Sequence, residues 1–368
     1  MSGATVVLDQ IVAPVPGGIG RYALNLIRAL TERPDRPRTF TGFTPRVSSE
    51  TVRRLHSLIP LLGDIDVSPL PRPVLARAWR LGLALPERQL TYSPSLFSPL
   101  GPRGNHIVTI HDTIPWTHPE TLTRRGAVWH RANGERAARF ADIIVVPTAA
   151  VAEHLSDFLS FGDRIRVIGG APSTDLAIPA DAPARRAALQ IPDNFVAFVG
   201  TLEPRKGLEQ LITAVAAVDN LSLVVIGPRG WGGVKVATLV EQSGIAPSRV
   251  HALGRLDDAD LAAVLSASRA LVVPSIDEGF GLPVLEAMSL GVPVIHSTAA
   301  ALVEVAGGAA LPVNVHGPGG TMALAEALTG LSDDELRRDL ISRGHAQSAL
   351  FSWDASAAKL AAIIDELS

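Results

Sequence analysis

Residues 201–207 have the residue types that bind a diphosphate. They read Thr-Leu-Glu-Pro-Arg-Lys-Gly and follow a predicted strand over residues 195–200. Arg205 offers a planar fork of N–H donors and Lys206 a compact ammonium, and together they suit pyrophosphate oxygens at a strand end. Lys206 is one of only three lysines among 33 basic residues, which indicates a specific demand for an ammonium there. The alternative interpretation is the solvated start of a helix.

Residues 278–286, with the sequence EGFGLPVLE, join another predicted strand to a helix. Gly279 and Gly281 permit a tight loop, and Pro283 suits the first turn of the helix. The free N–H groups of that turn can bind phosphate or sugar oxygens. Glu278 in the loop and Glu286 in the helix are then placed to face one ligand. Alternatively, acidic residues near a helix start simply stabilise the helix dipole.

A glycine cluster at residues 17–20, with the sequence GGIG, opens a helix after the first predicted strand. Gly18 lets a backbone approach phosphate oxygens near free helix N–H groups. The run from Gly18 to Ala23 also fits the fingerprint of NAD and flavin proteins, which needs a short turn and an acid ending the second strand. Here seven residues separate Asp9 from Gly17, and the second strand ends in Phe-Thr. We therefore predict no nicotinamide or flavin site, and a plain tight turn is the remaining alternative.

His111 and Asp112 directly follow a predicted strand. They therefore lie at the carboxyl ends of the strands, where open α/β sheets bind their ligands. A histidine there can hydrogen-bond a sugar hydroxyl or a leaving-group oxygen. His111, Asp112 and His118 can also be read as metal ligands, and Asp64 and Asp66 match the Asp-x-Asp pair of some metal-dependent enzymes. No further ligand accompanies either set, and the chain has no cysteine. We therefore predict no metal site.

Short β-branched strands alternate with helical stretches along the chain, which predicts an α/β protein with two doubly wound parallel sheets. The predicted strands of the first series are residues 5–9, 39–43, 90–93, 106–111, 143–147 and 165–168. Those of the second are 195–200, 221–226, 250–252, 270–274, 293–296 and 310–313. Residues 169–191, rich in Gly, Pro and Ala, are predicted to link the sheets, with a short helix at 184–189. Two facing sheets of this kind place a ligand in the cleft between them.

Composition agrees with a folded protein of two domains. The 368 residues are 47% apolar and 19% charged, with a net charge of −3. No apolar run reaches the ~18 residues of a membrane span, and the strand pattern starts within the first ten residues, so no leader peptide is predicted. We expect a soluble, cytoplasmic protein that binds no nucleic acid.

Charge is divided unevenly between the two halves. Residues 1–170 hold 20 Arg, no Lys and 14 acidic residues, a net charge of +6. Residues 171–368 hold 13 basic and 22 acidic residues, a net charge of −9. Residues 72–88 combine Arg, Leu and Trp at roughly helical spacing, as do helices that lie on anionic lipid. The excess of positive charge in residues 1–170 predicts an anionic lipid surface or a phosphorylated acceptor as partner. The alternatives are an Arg-rich genome and an ordinary helix whose Leu and Trp face the core.

Taken together, these motifs resemble those of retaining glycosyltransferases of family 4, which have the GT-B fold of two Rossmann-like domains. The motifs that carry the resemblance are EGFGLPVLE at 278–286, GTLEPRK at 200–206, GGIG at 17–20 and VTIHD at 108–112. The resemblance covers essentially the whole chain, down to Phe351-Ser-Trp353 before a last helix. Two departures are Gly207, where relatives often have Asn, and residues 299–305, which lack the common Leu-Pro-Glu.

The resemblance implies which substrate each domain binds. Residues 1–170, joined by the returning helix 353–368, form the acceptor side, and residues 171–352 bind a nucleotide sugar. The implied catalytic residues are His111, Glu278, Arg205 and Lys206. The implied donor-binding residues are Gly18, Arg205, Lys206, Phe280, Gly281, Leu282 and Glu286. Glu286 is implied to bind the ribose, Arg205 and Lys206 the diphosphate near Gly18, and Glu278 and His111 to lie near the donor sugar.

The implied reaction is the transfer of a hexose with retention, by attack on the same face, without a metal or cofactor. Bacterial mannosyltransferases of polysaccharide and O-antigen assembly are the most similar group, which makes GDP-mannose the expected donor and a UDP-sugar the alternative. The expected acceptor is a glycan or a lipid-linked sugar at a membrane that the protein contacts peripherally. The alternatives from other classes are a non-catalytic sugar-nucleotide-binding protein and a two-domain epimerase or phosphorylase.

Overall fold

The computed structural model describes residues 4–13, 17–34, 39–83 and 90–367. It divides the chain into two compact α/β units. The first unit comprises Met1–Thr117, Arg124–Gly170 and Ser352–Ser368, and the second comprises His118–Thr123 and Ala171–Phe351. The second unit therefore takes six residues from within the first half of the sequence.

The first unit is built on a seven-stranded parallel sheet in the order β3-β2-β1-β4-β5-β6-β7. Its strands are β1 (Ala4–Val7), β2 (Phe40–Thr44), β3 (Ile65–Val67), β4 (Leu90–Ser93), β5 (Asn105–Thr109), β6 (Ile143–Val146) and β7 (Ile165–Val167). All four residues of β6 are buried, because helices cover both faces of a parallel sheet. The first helices of the chain are α1 (Gly17–Glu32), α2 (Ser49–Leu58), α3 (Arg72–Arg80), α4 (Ile114–Thr117), α5 (Arg124–Phe140) and α6 (Ala149–Ser156).

The second unit is built on a six-stranded parallel sheet in the order β10-β9-β8-β11-β12-β13. Its strands are β8 (Phe195–Val199), β9 (Ser222–Ile226), β10 (Val250–Gly254), β11 (Leu271–Val273), β12 (Val294–Ser297) and β13 (Leu311–Val313). Its helices are α7 (Ala182–Ala188), α8 (Leu208–Ala216), α9 (Val236–Ser243), α10 (Asp258–Leu265), α11 (Leu282–Ser289), α12 (Ala300–Ala306), α13 (Gly320–Gly330) and α14 (Asp334–Ser348). The two doubly wound sheets confirm the predicted fold class.

The last helix, α15 (Trp353–Glu366), belongs to the first unit, as the resemblance implies. It packs on α1, where the rings of Trp353 and Tyr22 meet edge to face with centroids 5.6 Å apart. The Ser356 hydroxyl donates to the Gly169 carbonyl oxygen at 2.7 Å. Ser352 caps the helix by accepting the N–H of Ala355.

The first unit differs from the sequence prediction at β3. This strand of three residues was not predicted, because its residues are half-buried or exposed and show no apolar pattern. Asp66 lies in β3, and the Asp64 carbonyl oxygen accepts the N–H of Gly42 at 2.8 Å. The Asp-x-Asp pair is therefore part of a sheet edge.

Helix α3 ends at Arg80, inside the predicted stretch 72–88, and residues 84–89 lie outside the described residues. Leu75 and Trp79 are buried, and the Trp79 ring lies 4.6 Å from that of Phe97, centroid to centroid. The apolar side of α3 thus faces the core, which agrees with the alternative that this is an ordinary helix whose Leu and Trp are buried. In the described part of the chain, no helix is long and apolar enough to cross a membrane.

Candidate active site

The loops that follow β8 and β11 meet where the strand order of the second sheet reverses. Such a reversal is where open α/β sheets bind their ligands. Arg205 and Lys206 lie in the loop after β8, and Glu278 lies in the loop after β11. The N–H of Ile276 donates to the Arg205 carbonyl oxygen at 2.8 Å, which ties the two loops together.

Gly207 makes the close approach of these loops possible. Residues 204–206 form one 3₁₀ turn, and Gly207 ends it with a φ of +67°, a left-handed conformation that favours glycine. Asparagine also tolerates this conformation. In this chain, however, a Cβ on Gly207 would lie 2.1 Å from the Pro274 carbonyl oxygen.

Gly207→Ala should lower the free energy of unfolding by about 2 kcal/mol, because strain and a backbone clash act together. Urea unfolding of the purified variant measures this loss. Gly330→Ala is the matched control, since a Cβ there meets nothing within 4 Å. Equal stability of the two variants would contradict the close approach.

Arg205 and Lys206 share one carboxylate, that of Glu278. Arg205 Nη1 lies 3.0 Å from Glu278 Oε2, and Lys206 Nζ donates to Glu278 Oε1. The Ser275 hydroxyl donates to the same Oε1 at 2.7 Å. The three charged side chains are only 11–16% exposed, so solvent screens them weakly. Arg205 and Lys206 therefore form a rigid pair of cations that is already bound to the Glu278 carboxylate.

Further contacts fix the direction of the Arg205 guanidinium. Its Nη2 lies 2.8 Å from Oε1 of the buried Glu203, and its Nη1 donates to the Asp277 carbonyl oxygen at 3.1 Å. The Asp277 carboxylate in turn accepts the N–H of Glu278 at 2.8 Å. Fixed charges of this kind do not need to reorganise when a charged ligand arrives.

The charges around Glu278 decide its protonation state. Burial raises the pKa of its carboxyl, but the charges and hydrogen bonds of Lys206, Arg205 and Ser275 outweigh burial and lower the pKa from 4.5 to about 2. Glu278 is therefore ionised at any pH near neutrality.

The start of α11 has the predicted form. Gly281 is its N-cap residue with a φ of +96°, and Leu282 is its first residue. Pro283 has no N–H and the Val284 N–H donates to the Gly281 carbonyl oxygen at 2.9 Å, so Leu282 carries the remaining N–H group of this turn. The side chain of Phe280 is buried against Phe351, so only its backbone is placed for a ligand. Glu286 lies within α11 and is 3% exposed.

In the first unit, Gly18 lies in the first turn of α1, because that helix starts at Gly17. The glycine cluster therefore opens a helix, as predicted, and Gly17 and Gly18 are exposed in its first turn. Tyr22 on the same helix contacts the His111 ring edge to face, with centroids 5.0 Å apart. Gly18 and His111 therefore belong to one neighbourhood.

The surroundings of His111 favour the neutral imidazole. Burial lowers its pKa, against smaller opposing effects of the Pro94 carbonyl and Asp112. Nε2 lies 2.8 Å from the Pro94 carbonyl oxygen, which can only accept a hydrogen bond. A neutral His111 therefore carries its proton on Nε2 and offers Nδ1 as an acceptor, which suits a hydroxyl group.

Within the described residues, the structure groups no three His, Asp or Glu side chains as metal ligands. The predicted site residues fall into a set in the second unit and the pair Gly18 and His111 in the first. In the second set, Arg205, Lys206 and Glu278 are in direct contact.

The sequence matches two family models that together span most of the chain. Residues 16–175 match glycosyltransferase family 4, and residues 181–347 match glycosyl transferases group 1. The O-antigen chain mannosyltransferase B of Escherichia coli is 30% identical over 92% of this chain and 93% of its own length. The chain belongs to the family 4 glycosyltransferases.

Two further similarities agree with this assignment. The MMP alpha-(1->4)-mannosyltransferase of Mycolicibacterium hassiacum is 29% identical over 95% of each chain. The crystal structure of HepE from Anabaena in complex with UDP-glucose superposes with a TM-score of 0.78 at 18% identity over the whole of both chains, which supports the GT-B fold.

Three polar residues of this glycosyltransferase were not predicted from the sequence. Glu203 and Asp277 hold Arg205, and Ser275 holds Glu278. Glu203 and Ser275 stand within three residues of the side chains that they hold, so their polar character was the available signal. Asp277 is 72 residues from Arg205 and accepts through its backbone carbonyl, so this contact depends on β8 and β11 being neighbours.

Proposed function

We propose that this glycosyltransferase transfers mannose from GDP-mannose, with retention of configuration, to a glycan or lipid-linked acceptor. The observation that carries the proposal is the rigid pair of Arg205 and Lys206 at the reversal of the second sheet, beside the N-terminus of α11. The names of the Escherichia coli and Mycolicibacterium relatives favour mannose. The HepE complex with UDP-glucose makes a UDP-sugar the second candidate donor.

In this proposal Arg205 and Lys206 bind the diphosphate and stabilise the charge that grows on it as the glycosidic bond breaks. The N–H groups of Phe280, Gly281 and Leu282 bind sugar or phosphate oxygens. The leaving phosphate oxygen accepts the proton of the acceptor hydroxyl, which attacks on the same face of the sugar. No covalent intermediate is then needed for retention.

The remaining site residues orient the donor. Glu286 accepts hydrogen bonds from the ribose hydroxyls, and Glu278 accepts them from the sugar. His111 Nδ1 accepts one from a sugar hydroxyl, as its neutral form allows. Gly18, in the first turn of α1, leaves its backbone open to a phosphate oxygen, since a Cβ there would meet nothing within 4 Å.

A donor panel tests the proposal. GDP-mannose, GDP-glucose, UDP-glucose, UDP-galactose and UDP-N-acetylglucosamine are each incubated with the protein, and nucleoside diphosphate release and binding are measured. We expect release from GDP-mannose to be fastest, and a mannoside product with the anomeric configuration of the donor by NMR. Release from UDP-sugars alone supports the second candidate. Binding without release supports a non-catalytic sugar-nucleotide-binding protein.

Activity should survive chelation by EDTA, because the two cationic side chains supply the charge that a metal would supply to the diphosphate. Turnover of GDP-mannose with and without EDTA measures this. Loss of activity that manganese or magnesium restores would show that a metal takes part.

The net charge of +6 in residues 1–170 supports a peripheral contact with anionic lipid at the cytoplasmic face of a membrane. Leu75 and Trp79 are buried and unavailable for insertion. Arg77 and Arg80 remain exposed on α3, and Leu81 just beyond it is 74% exposed. The proposed contact is therefore electrostatic, with each Arg contributing about 1 kcal/mol near the surface.

Sedimentation with liposomes should show binding to vesicles that contain anionic lipid and none to neutral vesicles. Binding should fall as salt rises, because counterions screen exposed charges. Arg77→Glu with Arg80→Glu should abolish it. Equal, negligible sedimentation with both kinds of vesicle would leave no role for lipid.

A further inference from the structure

The segment formed by Pro274 and Ser275 lies just beyond β11 and leads into the loop that carries Glu278. It contacts the neighbouring site loop, because a Cβ on Gly207 would lie 2.1 Å from the Pro274 carbonyl oxygen. It also contacts Glu278, whose Oε1 accepts the Ser275 hydroxyl at 2.7 Å. The position of this segment therefore affects both loops of the candidate site.

Two side chains from the next two strands of the sheet hold the backbone of this segment. Ser297, the last residue of β12, donates its hydroxyl to the Ser275 carbonyl oxygen at 2.5 Å. His316, in the loop after β13, has its Nε2 2.7 Å from the Pro274 carbonyl oxygen. A carbonyl oxygen only accepts hydrogen bonds, so Nε2 is the donor. Each of the two carbonyl oxygens therefore has a side-chain donor.

His316 supports the backbone of Lys206 through the Pro274 carbonyl. Gly207 follows Lys206 directly, and the space between Gly207 and that carbonyl oxygen is too small for a side chain. Groups packed this closely move together, because protein interiors transmit small displacements. A shift of the carbonyl would therefore move Gly207 and, with it, the backbone of Lys206.

Ser297 supports the ammonium of Lys206 through Ser275. The Lys206 ammonium and the Ser275 hydroxyl both donate to Glu278 Oε1, so the position of Ser275 affects the oxygen that Lys206 binds. The Ser297 oxygen also accepts the N–H of Ala299 at 3.4 Å, which leaves its single proton for the Ser275 carbonyl. Ser297 is 2% exposed, so water competes little for this hydrogen bond.

We propose that His316 and Ser297 are positioning residues that align the Lys206 ammonium with the diphosphate of the donor. The inference rests on the proposed function, because the diphosphate is what this ammonium binds there. Both residues act through the segment Pro274–Ser275, from opposite ends of the Lys206 side chain. An interaction that is strongest in the transition state affects kcat more than KM when its geometry is disturbed. The expected signature is a fall in kcat with little change in KM.

The small number of lysines allows a direct measurement on Lys206. Protein labelled with ¹⁵N in lysine alone gives three backbone amide signals, from Lys206, Lys235 and Lys359. These signals are recorded by NMR for the unaltered full-length protein and for each variant, with and without GDP or UDP. Steady-state kinetics with the donor that the nucleotide-sugar panel identifies give kcat and KM, and thermal unfolding gives stability.

The variants His316→Leu and Ser297→Ala each remove one donor, and His316→Gln restores one, because its side-chain amide can donate from a similar position. Ser268→Ala is the matched control for the buried serine, since the Ser268 hydroxyl also donates to a backbone carbonyl, that of Leu265, at 2.7 Å. His345→Leu is the control for the histidine, because His345 is another exposed histidine of the same unit.

We expect His316→Leu and Ser297→Ala to shift the Lys206 signal and to leave the other two lysine signals in place. Each should lower kcat about tenfold and change KM by less than about twofold, since a small misplacement of a charged group is costly in the transition state. His316→Gln should restore the signal and most of kcat. The two control variants should change neither, even where Ser268→Ala loses as much stability as Ser297→Ala.

A Lys206 signal that stays in place in both donor-removing variants would overturn the inference. A shift of all three lysine signals, or a loss of kcat that Ser268→Ala shares, would overturn it as well, because the effect would then be one of general stability. If neither GDP nor UDP moves the Lys206 signal of the unaltered protein, the proposed function fails instead. The effect of the variants on that signal without nucleotide then still decides whether His316 and Ser297 position Lys206.

Discussion

Lys206→Ala should lower the turnover number for the nucleotide sugar by about 30- to 1,000-fold, which corresponds to about 2–4 kcal/mol of lost transition-state stabilisation. The ammonium is 16% exposed and shares the Glu278 carboxylate with Arg205, so it acts in a poorly screened site at a strand end. Without it, the charge on the leaving diphosphate is met by one fixed cation in place of two. The fold should persist, because Lys206 ends a surface turn and fills no part of the core.

Arg205→Ala should reduce turnover over the same range but should also reduce stability. Its guanidinium holds Glu203, Glu278 and the Asp277 carbonyl, and truncation leaves two poorly solvated carboxylates without it. Arg205→Lys should restore part of the stability and little of the turnover, since an ammonium cannot make the forked contact.

Steady-state kinetics with GDP-mannose and the UDP-sugar panel measure both effects, and thermal unfolding separates them from misfolding. Lys235→Ala is the matched control, because Lys235 is an exposed lysine of the same unit. Near-normal turnover for both Lys206→Ala and Arg205→Lys would contradict the proposal that these side chains bind the diphosphate.

Regular elements with a strong local pattern were predictable from the sequence. Strand β8, over residues 195–199, differs from its predicted range of 195–200 by one residue at the end. Continuous apolar β-branched runs give buried parallel strands a clear signal. Strand β3 gave none, because an edge strand of three half-exposed residues has no apolar periodicity.

The candidate site was predictable only as separate motifs. Both loops of the second unit were expected to meet a ligand, but the direct contact of Glu278 with Arg205 and Lys206 spans more than 70 residues. It depends on β11 lying beside β8, and strand order is not encoded locally. The pairing of Asp9 with Arg72, 63 residues apart, was missed for the same reason.

Glu278→Gln should lower the free energy of unfolding at pH 7 by about 3 kcal/mol, the value that corresponds to a pKa lowered from 4.5 to about 2. The amide keeps the shape and the hydrogen bond to Ser275 but leaves the Arg205 and Lys206 charges uncompensated. Glu209→Gln, an exposed acid of the same unit, is the matched control and should change stability by less than about 0.5 kcal/mol.

The pH dependence of this loss identifies its cause. A carboxyl whose pKa is lower in the folded than in the unfolded state stabilises the fold fully above the unfolded value, and that contribution disappears as the pH falls through the folded value. The stability difference between the unaltered protein and Glu278→Gln should therefore be constant above about pH 5 and shrink between about pH 4.5 and 2. Urea unfolding at a series of pH values measures it. A difference that persists unchanged at the lowest pH where the protein stays folded would mean that packing, and not the charge of Glu278, stabilises the two loops.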